Sequence, residues 1–260
     1  MLCSDTDVKK KIEESILESS NNEKGKLLDI IRKLIDIYSF VENQTYPRPS
    51  HPLEKDRTDA YFTMAAIIIS LRTTLENERK AVAKFREKYK CIDEVAKTTV
   101  DELSSTIKEA GMSTKKAQTI IDISKYIIYN HNGDINNIKS ETVEETRENL
   151  MLIKGIGMKS ADCMIELGFD MPSMVVDINV FRTISRLYNL EWADKCNFND
   201  SNQIMSVKKL IEKNLPLDFE IYQIVHTIIL LHGKNICKAN PKCGNCQIKN
   251  YCEYYKINRK

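Results

Sequence analysis

The sequence has few residues that interrupt helices, since its 260 residues include only eight glycines and six prolines. It also lacks the alternation of apolar and polar residues that predicts strands, and it shows no long internal repeat. Amphipathic patterns recur instead, most clearly over Thr114–Asn130, where one helix face is mostly apolar. The sequence therefore predicts an all-α protein, with further helices at Tyr61–Leu71, Glu78–Tyr89, Val100–Glu109, Val143–Leu152, Lys159–Leu167, Val180–Tyr188 and Phe219–Leu231.

Long apolar runs are also missing. The longest, Tyr61–Leu71, is too short to span a bilayer and is interrupted by Thr63 and Ser70. The first residues lack the apolar core of a signal peptide. We therefore expect an intracellular protein without a membrane partner, in the cytoplasm or nucleoid of a prokaryote or the nucleus of a eukaryote. In such compartments cysteines are mostly reduced or bound to metal.

The formal net charge of +2 is too small to indicate a nucleic-acid partner by itself. Its distribution is more informative, because Leu231–Lys260 contains seven Lys or Arg and a single acid, Glu253. A basic end of this kind is either a contact surface for phosphate or an ordinary solvated tail. Charge alone does not separate the two.

Three local patterns predict turns or helix starts. Thr142 followed by Glu145 has the form of a capping box. Residues Asn130–Asp134, Asn-His-Asn-Gly-Asp, predict a turn. Three prolines in Tyr46–Pro52 exclude a helix interior there. Residues 1–45, rich in lysine and glutamate, are either a partner-binding segment or part of a C-terminal lobe.

Half of the eight cysteines fall within sixteen residues, with the spacing C-x5-C-x2-C-x5-C. Such a group in an intracellular protein predicts a metal site, and zinc is one candidate. A single C-x2-C flanked by two longer spacers favours the wider [4Fe-4S] cluster. The loop after the first cysteine has a lysine at each end, which suggests phosphate contacts. The predicted ligands are Cys237, Cys243, Cys246 and Cys252, and the two lysines are Lys238 and Lys242.

A glycine-rich turn, Gly155-Ile156-Gly157, separates two predicted helices. Its backbone N–H groups and the start of the next helix would together form an anion site. Ile153 and Ile156 can anchor the hairpin in the core. An ordinary helix–turn–helix connection is the default interpretation of this pattern.

Two ionisable residues follow, and each has two interpretations. Lys159, at the start of the second helix, is a surface or phosphate-binding lysine on pattern alone. Partly desolvated near a helix N-terminus, it would instead hold more free amine and act as a nucleophile. Asp177, flanked by apolar residues before another helix, is a helix N-cap or a carboxylate that orients the amine and moves its proton. Both roles of Asp177 are compatible.

Together these segments resemble the endonuclease III family of helix-hairpin-helix DNA glycosylases, over roughly Pro52 to Cys252. Each matching segment is short, but they occur in the family's order, and the ordered set favours [4Fe-4S] over zinc. The matching segments are Ile69–Thr74 (ISLRTT), Glu109–Ala117 (EAGMSTKKA), His131–Asp134 (HNGD), Ile153–Asp162 (IKGIGMKSAD), Val175–Arg182 (VVDINVFR), Leu231–Lys234 (LHGK) and the cysteine loop.

The resemblance implies two helical lobes with DNA in the cleft between them. Residues 53–171 would form a six-helix barrel lobe with the helix-hairpin-helix at 143–167. Residues 172–260 would form a C-terminal helical lobe with the [4Fe-4S] loop at 237–252. Residues 1–52 would pack with that lobe or be partly independent. We expect a monomer that binds double-stranded DNA containing a damaged base or an abasic site.

The resemblance also implies a bifunctional glycosylase and abasic-site lyase. Lys159 matches the family's catalytic lysine and Asp177 its catalytic aspartate. The target nucleotide would be flipped from the duplex, the amine would attack C1′, and the resulting Schiff base would promote β-elimination. Arg72 falls where the family often places a glutamine that enters the gap left by the flipped base. Met112, with Ala110, matches a loop that wedges into the opposite strand.

Departures from the family pattern bear on the substrate. Lys154 replaces a proline and is expected to add a phosphate contact, Asn179 stands where histidine is common, and Leu75 stands where aspartate is common. The first cysteine spacer is five residues instead of six. Cys163 lies one helical turn after the lysine, which resembles the 8-oxoguanine branch of the superfamily, where a cysteine at this place lines the base pocket. We expect an oxidised pyrimidine as substrate. The alternatives are an oxidised purine, a modified cytosine, or a DNA-binding module without catalysis.

Overall fold

The computed structural model describes residues 10–11, 14, 22–38, 59–194 and 198–258. All regular elements in these ranges are helical and none is a strand, which confirms the all-α prediction. The proline-rich segment Tyr46–Pro52 lies outside the described residues. The α-helices are α1 (Asn22–Tyr38), α2 (Ala60–Ser70), α3 (Leu75–Lys88), α4 (Ile92–Lys97), α5 (Val100–Thr106), α6 (Ser113–His131), α7 (Val143–Met151), α8 (Met158–Leu167), α9 (Ile178–Leu187), α10 (Ser201–Lys213), α11 (Phe219–Asn235) and α12 (Glu253–Ile257).

The chain divides into two compact units. The hairpin unit contains the described residues between Tyr46 and Ser173, which include α2 to α8. The cysteine unit combines the described residues before Thr45 with those from Met174 onward, which include α1 and α9 to α12. The lobe boundaries at 52 and 171 and the six-helix barrel stay predictions.

In the hairpin unit α2 is buried over almost its whole length, from Ala60 to Ile69, because it is apolar on every side. It packs against α3, α6 and α8. The predicted apolar face of α6 is buried, and its one hydroxyl, on Ser124, lies 2.6 Å from the hydroxyl of Tyr61. The apolar helix α2 is therefore central to the hairpin unit, and it contacts α8, the second helix of the hairpin.

Caps fix the helix ends as the local patterns predict. Thr142 accepts a hydrogen bond from the backbone N–H of Glu145 at 3.2 Å, which is the N-cap half of the capping box. α6 ends at His131, and Asn132 and Gly133 follow with φ of 54° and 79°. This left-handed pair is the turn predicted at Asn130–Asp134.

In the cysteine unit α9 and α11 pack together, and α1 packs on α11. One apolar face of α1 is buried, from Leu27 to Ile35, so this helix belongs to the unit's core. α10 was not predicted from the sequence. Its Lys208, 1% exposed, donates to the carbonyl of Met174 at 2.7 Å, and its Glu212 accepts from the Met174 N–H at 2.9 Å. None of the described helices combines the length and apolar character needed to cross a bilayer.

Candidate functional site

The hairpin between α7 and α8 is anchored by two isoleucines, as the sequence predicts. Ile153 and Ile156 are 2% and 5% exposed, whereas Lys154, Gly155 and Gly157 between and beside them are exposed. The turn therefore presents its backbone to solvent while its apolar side chains hold it to the core. This is the arrangement that an anion-binding hairpin needs.

The two glycines have different reasons to be glycine. Gly155 has φ +98°, and an added Cβ would lie 2.9 Å from Cγ2 of Thr119. Gly157 has ordinary backbone angles and open space around it. It is the N-cap of α8, and having no side chain it leaves the first N–H groups of that helix to an external acceptor.

Lys159 is the second residue of α8 and its side chain is exposed. The expected partial desolvation is therefore absent in the chain alone, because the start of α8 projects from the core with the hairpin. Cys163, one helical turn further along, is half-buried against the unit's apolar core.

A buried carboxyl that sequence reasoning missed lies close to Lys159 in the hairpin unit. Glu78 on α3 is only 7% exposed. Burial raises the pKa of Glu78 to about 7, and the nearby charges of Arg79, Lys116 and Lys159 oppose that rise. Its helical position gave no indication of burial, because the surrounding residues of α3 are mostly charged.

Lys116 is a second buried charge that the sequence did not reveal. Its amine donates to the carbonyls of Ile69 and Ala110, each at 2.8 Å, and burial lowers the pKa of Lys116. These carbonyls lie at the two loops that carry Arg72 and Met112. One buried lysine therefore fixes both predicted DNA-contact loops to α6.

Arg72 and Met112 share an uncommon backbone conformation. Both are exposed, and both have positive φ, 53° at Arg72 and 50° at Met112. Left-handed backbone at residues other than glycine costs about 1 kcal/mol or more and clusters at functional sites. The strain distinguishes these two loops from an ordinary solvated surface.

A buried ion pair joins the two helices of the hairpin. Arg147 on α7 donates from Nε to Asp162 on α8 at 2.7 Å, and the Ser173 hydroxyl donates to the same carboxylate oxygen at 2.8 Å. All three side chains are buried. The pair fixes the helix that carries Lys159 against its neighbour.

Asp177 is the N-cap of α9, which confirms the simpler of its two interpretations. It is 7% exposed, and its Oδ1 accepts from the N–H groups of Asn179 and Val180, both at 2.8 Å. Its Oδ2 accepts from the amide of Asn179 at 3.0 Å. Both oxygens are thereby held in one orientation.

Asn179 and Arg182 connect that carboxylate to the cysteine loop. Arg182 donates to the side-chain oxygen of Asn179 at 2.9 Å and to the carbonyl of Cys237 at 2.7 Å. Asn179, which stands where the family commonly has histidine, therefore links the Asp177 carboxylate to Arg182. Lys159 belongs to the hairpin unit and Asp177 to the cysteine unit.

The four predicted ligand cysteines line one solvent-open cavity in the cysteine unit. The pKa of Cys246 is raised to about 11, mainly by burial and in smaller part by the charges of the other three cysteines. Thiols that repel one another in this way fit a positively charged metal centre, which would deprotonate them. Among the described residues, no group of three or more His, Cys, Asp or Glu is placed to hold a single metal ion.

Arg186 and two flanking lysines surround the cysteine loop. Arg186 donates to the carbonyls of Lys238 and Ala239 and lies 3.7 Å from Sγ of Cys237. Lys238 and Lys242 are exposed at the ends of the small loop, as predicted. Arg186 therefore holds the backbone between them, so the two lysines sit at defined places on the surface.

His232 lies against the same cavity, and the sequence did not predict it as a site residue. It is 3% exposed, and its Nε2 is 3.7 Å from Sγ of Cys246. Its Nδ1 is 3.4 Å from the hydroxyl of Tyr38, the last residue of α1. Burial lowers the pKa of His232 to about 4 and raises that of Tyr38 to about 12.

Comparison with known proteins gives a consistent result. Residues 65–205 match the family described as HhH-GPD superfamily base excision DNA repair protein. Endonuclease III of Thermotoga maritima is 30% identical over 79% of this chain and 88% of its own length. Endonuclease III of Haemophilus influenzae is 29% identical over 85% of this chain and 95% of its own length.

Solved structures show the same fold at lower identity. A trapped covalent intermediate of endonuclease III with DNA aligns with a TM-score of 0.66, 23% identity, and 91% and 99% of the two chains. A thermostable thymine-DNA glycosylase aligns with a TM-score of 0.71, 23% identity, and 92% and 100% of the two chains.

Proposed function

Because the chain belongs to the endonuclease III family of the HhH-GPD superfamily of base excision DNA repair proteins, we propose that it removes an oxidised pyrimidine from duplex DNA and nicks the strand through Lys159. Its activity class, an endonuclease III-like DNA glycosylase acting on DNA, follows from the family. The observation that carries the assignment to Lys159 is its place at the second residue of α8, directly after the exposed hairpin.

In the proposed reaction the lone pair of the Lys159 amine attacks C1′ of the flipped nucleotide. The glycosidic bond breaks, and the base leaves with the electron pair of that bond and takes up a proton. The attached nitrogen then loses a proton, the C1′–O4′ bond breaks as O4′ takes up a proton, and the nitrogen and C1′ form a Schiff base. Loss of a C2′ proton follows, and the 3′ C–O bond breaks in a β-elimination with the 3′ phosphate as leaving group. Because Lys159 is exposed in the chain alone, its amine is accessible to the sugar of a bound nucleotide.

Asp177 is proposed as the carboxylate that activates the amine and moves its proton. Three hydrogen bonds hold it as an acceptor in a fixed orientation. It could therefore accept a proton from the lysine and stabilise the positive charge that develops on the sugar.

The DNA contacts are proposed from exposed backbone and side chains. The hairpin N–H groups at Gly155, Ile156 and Gly157, with Lys154 beside them, would bind phosphate. Arg72 would enter the gap left by the flipped base, and the apolar Met112 would wedge into the opposite strand. Lys238 and Lys242 would contact phosphate from the cysteine loop.

Cys237, Cys243, Cys246 and Cys252 are proposed to hold a [4Fe-4S] cluster, because all four line one cavity. When bound, such a cluster would tie the cysteine loop together by four iron–sulfur bonds and add an electron-transfer group. The residues of this chain that support it are Arg186 and His232, whose nitrogens approach two of the sulfurs. We further propose that the protein works inside the cell, where its substrate is found.

An oxidised purine is the second candidate substrate, and Cys163 is the observation that favours it. This half-buried thiol lies one turn beyond Lys159 on α8. Excision rates on matched duplexes containing thymine glycol or 8-oxoguanine decide between the candidates. Faster release of thymine glycol is the expected result, and faster release of 8-oxoguanine would reassign the substrate.

Borohydride reduction in the presence of abasic DNA tests the proposed nucleophile. The wild-type chain should give a covalent protein–DNA adduct, and Lys159→Ala should give none. Lys154→Ala is the matched control, since it removes an exposed hairpin lysine and should keep the adduct while weakening binding. An adduct with Lys159→Ala would assign the chemistry to another amine, and no adduct with the wild type would favour a DNA-binding module.

A further inference from the structure

Tyr38, His232 and Cys246 form a continuous polar path from the N-terminal helix to the cysteine cavity. Tyr38 closes α1, His232 lies near the end of α11, and both are buried. The Tyr38 hydroxyl oxygen lies 3.4 Å from Nδ1 of His232, and Nε2 of His232 lies 3.7 Å from Sγ of Cys246. Nothing in the proposed excision chemistry uses these residues.

We propose that His232, oriented by Tyr38, donates its Nε2–H to the Cys246 sulfur and thereby raises the reduction potential of the cluster bound there. This inference rests on the cluster assigned above. His232 is a positioning residue in this scheme, because it acts on the cluster through one of its ligands.

The hydrogen-bonding capacities of the three groups leave a single arrangement. A cysteine bound to iron is a thiolate and can only accept. A neutral imidazole has one N–H, and if Nε2 donates it to sulfur, Nδ1 must accept. The Tyr38 hydroxyl then donates to Nδ1, so every polar atom of the path has a partner and the tautomer is fixed.

The N-terminal helix is placed to hold this arrangement. Besides Tyr38, α1 provides Lys26, whose amine is 2.9 Å from Glu253, and Lys33, which lies 5.0 Å from the centre of the Tyr251 ring. Both partners follow the third ligand of the cysteine loop, and the apolar face of α1 is buried in the same unit. The polar path and the two surface contacts therefore fix α1 on the loop at three points.

The sign of the effect follows from charge. Reduction adds one electron to the cluster without a proton, so the reduced form carries more negative charge on its sulfurs. An N–H donor stabilises that form more than the oxidised one, and hydrogen bonds to sulfur are among the determinants of cluster potential. Losing one charge-assisted hydrogen bond should change the ratio of reduced to oxidised protein at a fixed potential by roughly tenfold.

Film voltammetry of the full-length protein, with and without duplex DNA, measures this directly. Iron and sulfide content and the visible absorbance of each sample report cluster loading. His232→Leu should shift the midpoint to a more negative potential, and Tyr38→Phe should shift it less in the same direction. His232→Gln, which restores an N–H donor, should recover part of the shift. Tyr129→Phe is the matched control, because that hydroxyl belongs to a residue 91% exposed in the hairpin unit.

The outcomes separate this inference from the proposed function. A loaded, yellow-brown wild type whose midpoint equals those of His232→Leu and Tyr38→Phe would overturn the inference alone. A colourless, iron-free wild type would overturn the cluster and the inference together. If His232→Leu fails to load, Tyr38→Phe decides, because it leaves the imidazole in place and removes only the hydroxyl that orients it.

Discussion

The hairpin and the cysteine loop both present backbone and lysines to solvent, but they are held in different ways. Ile153 and Ile156 fix the hairpin in an apolar core, and the buried Arg147–Asp162 pair joins its two helices. In residues 236–258, Ile248 alone is buried, and the segment consists of short helical turns. The hairpin thus takes its shape from the chain itself, whereas the loop has little apolar burial to stabilise it.

This difference indicates where each unit is sensitive. A structure held by packing responds to changes of volume, backbone angle and buried charge. A loop with one buried apolar residue depends on its ligands and on polar contacts from neighbouring helices, as small metal-binding segments do. The two units should therefore fail under different substitutions.

The largest effect is expected from removing a proposed cluster ligand. Cys246→Ala should abolish the visible absorbance and lower the thermal midpoint of the cysteine unit, because binding of the proposed cluster would be coupled to ordering of the loop. Cys91→Ala is the matched control, since that thiol is free and exposed in the hairpin unit. Hydrogen exchange, measured segment by segment, should show protection lost at 236–258 and kept at the hairpin. If the loop in Cys246→Ala keeps full protection from hydrogen exchange, the loop does not depend on its ligands and the two units are stabilised in the same way.

Within the hairpin unit the largest loss should come from the buried ion pair. Asp162→Ala leaves the Arg147 guanidinium buried without its carboxylate, which typically costs about 3–5 kcal/mol. Glu144→Ala removes the exposed carboxylate 3.7 Å from the same arginine and should cost less than about 1 kcal/mol. Urea unfolding followed by circular dichroism measures both. Equal losses would mean that the helix pair does not depend on the buried contact.

Glu78 should make stability depend on pH. Its pKa, about 7 in the folded chain, lies above the ordinary value of 4.5, so the folded state binds the proton more tightly. The stabilisation is present below about pH 4.5 and is lost as pH rises through 7. Between about pH 5 and pH 8 the free energy of unfolding of the wild type should therefore fall relative to Glu78→Gln by roughly 2–3 kcal/mol. Parallel urea curves at the two pH values check this, and a constant difference would contradict it.

The smallest effect distinguishes the two hairpin glycines. Gly155→Ala must adopt φ near +98° and press its Cβ against Thr119, at an expected cost of about 1–3 kcal/mol. Gly157→Ala has ordinary angles and open space and should stay within about 0.5 kcal/mol of the wild type. The same unfolding measurement compares them. Similar losses in the free energy of unfolding for both variants would show that the positive φ of Gly155 does not determine which glycine the turn requires.

Sequence patterns predicted those parts of the molecule that depend on neighbours along the chain. The apolar face of α6, the Thr142 cap, the turn after His131 and the Asp177 cap all follow from spacing over a few residues. The resemblance to a family supplied the roles of Lys159 and the cysteines, which spacing alone left open.

What the sequence did not reveal depends on residues far apart in the chain. Lys116 and Glu78 lie on helices whose surroundings are charged, and only the packing of α3 and α6 shows that both are buried. The contact of His232 with Tyr38 joins residues 194 positions apart. α10 was missed because its buried face is short and includes a lysine, Lys208, whose amine is satisfied by a distant carbonyl.

One of the two places where the chain passes between the units, from Ser173 to Met174, has a consequence for proteolysis. Ser173 is fixed by Asp162 on one side of the peptide bond, and Met174 is fixed on the other by Lys208 and Glu212. Residues 173–176 are all buried. Proteases cut exposed, adaptable segments, so this junction offers them no substrate while either unit is folded. Limited proteolysis should therefore leave the peptide bond between Ser173 and Met174 intact.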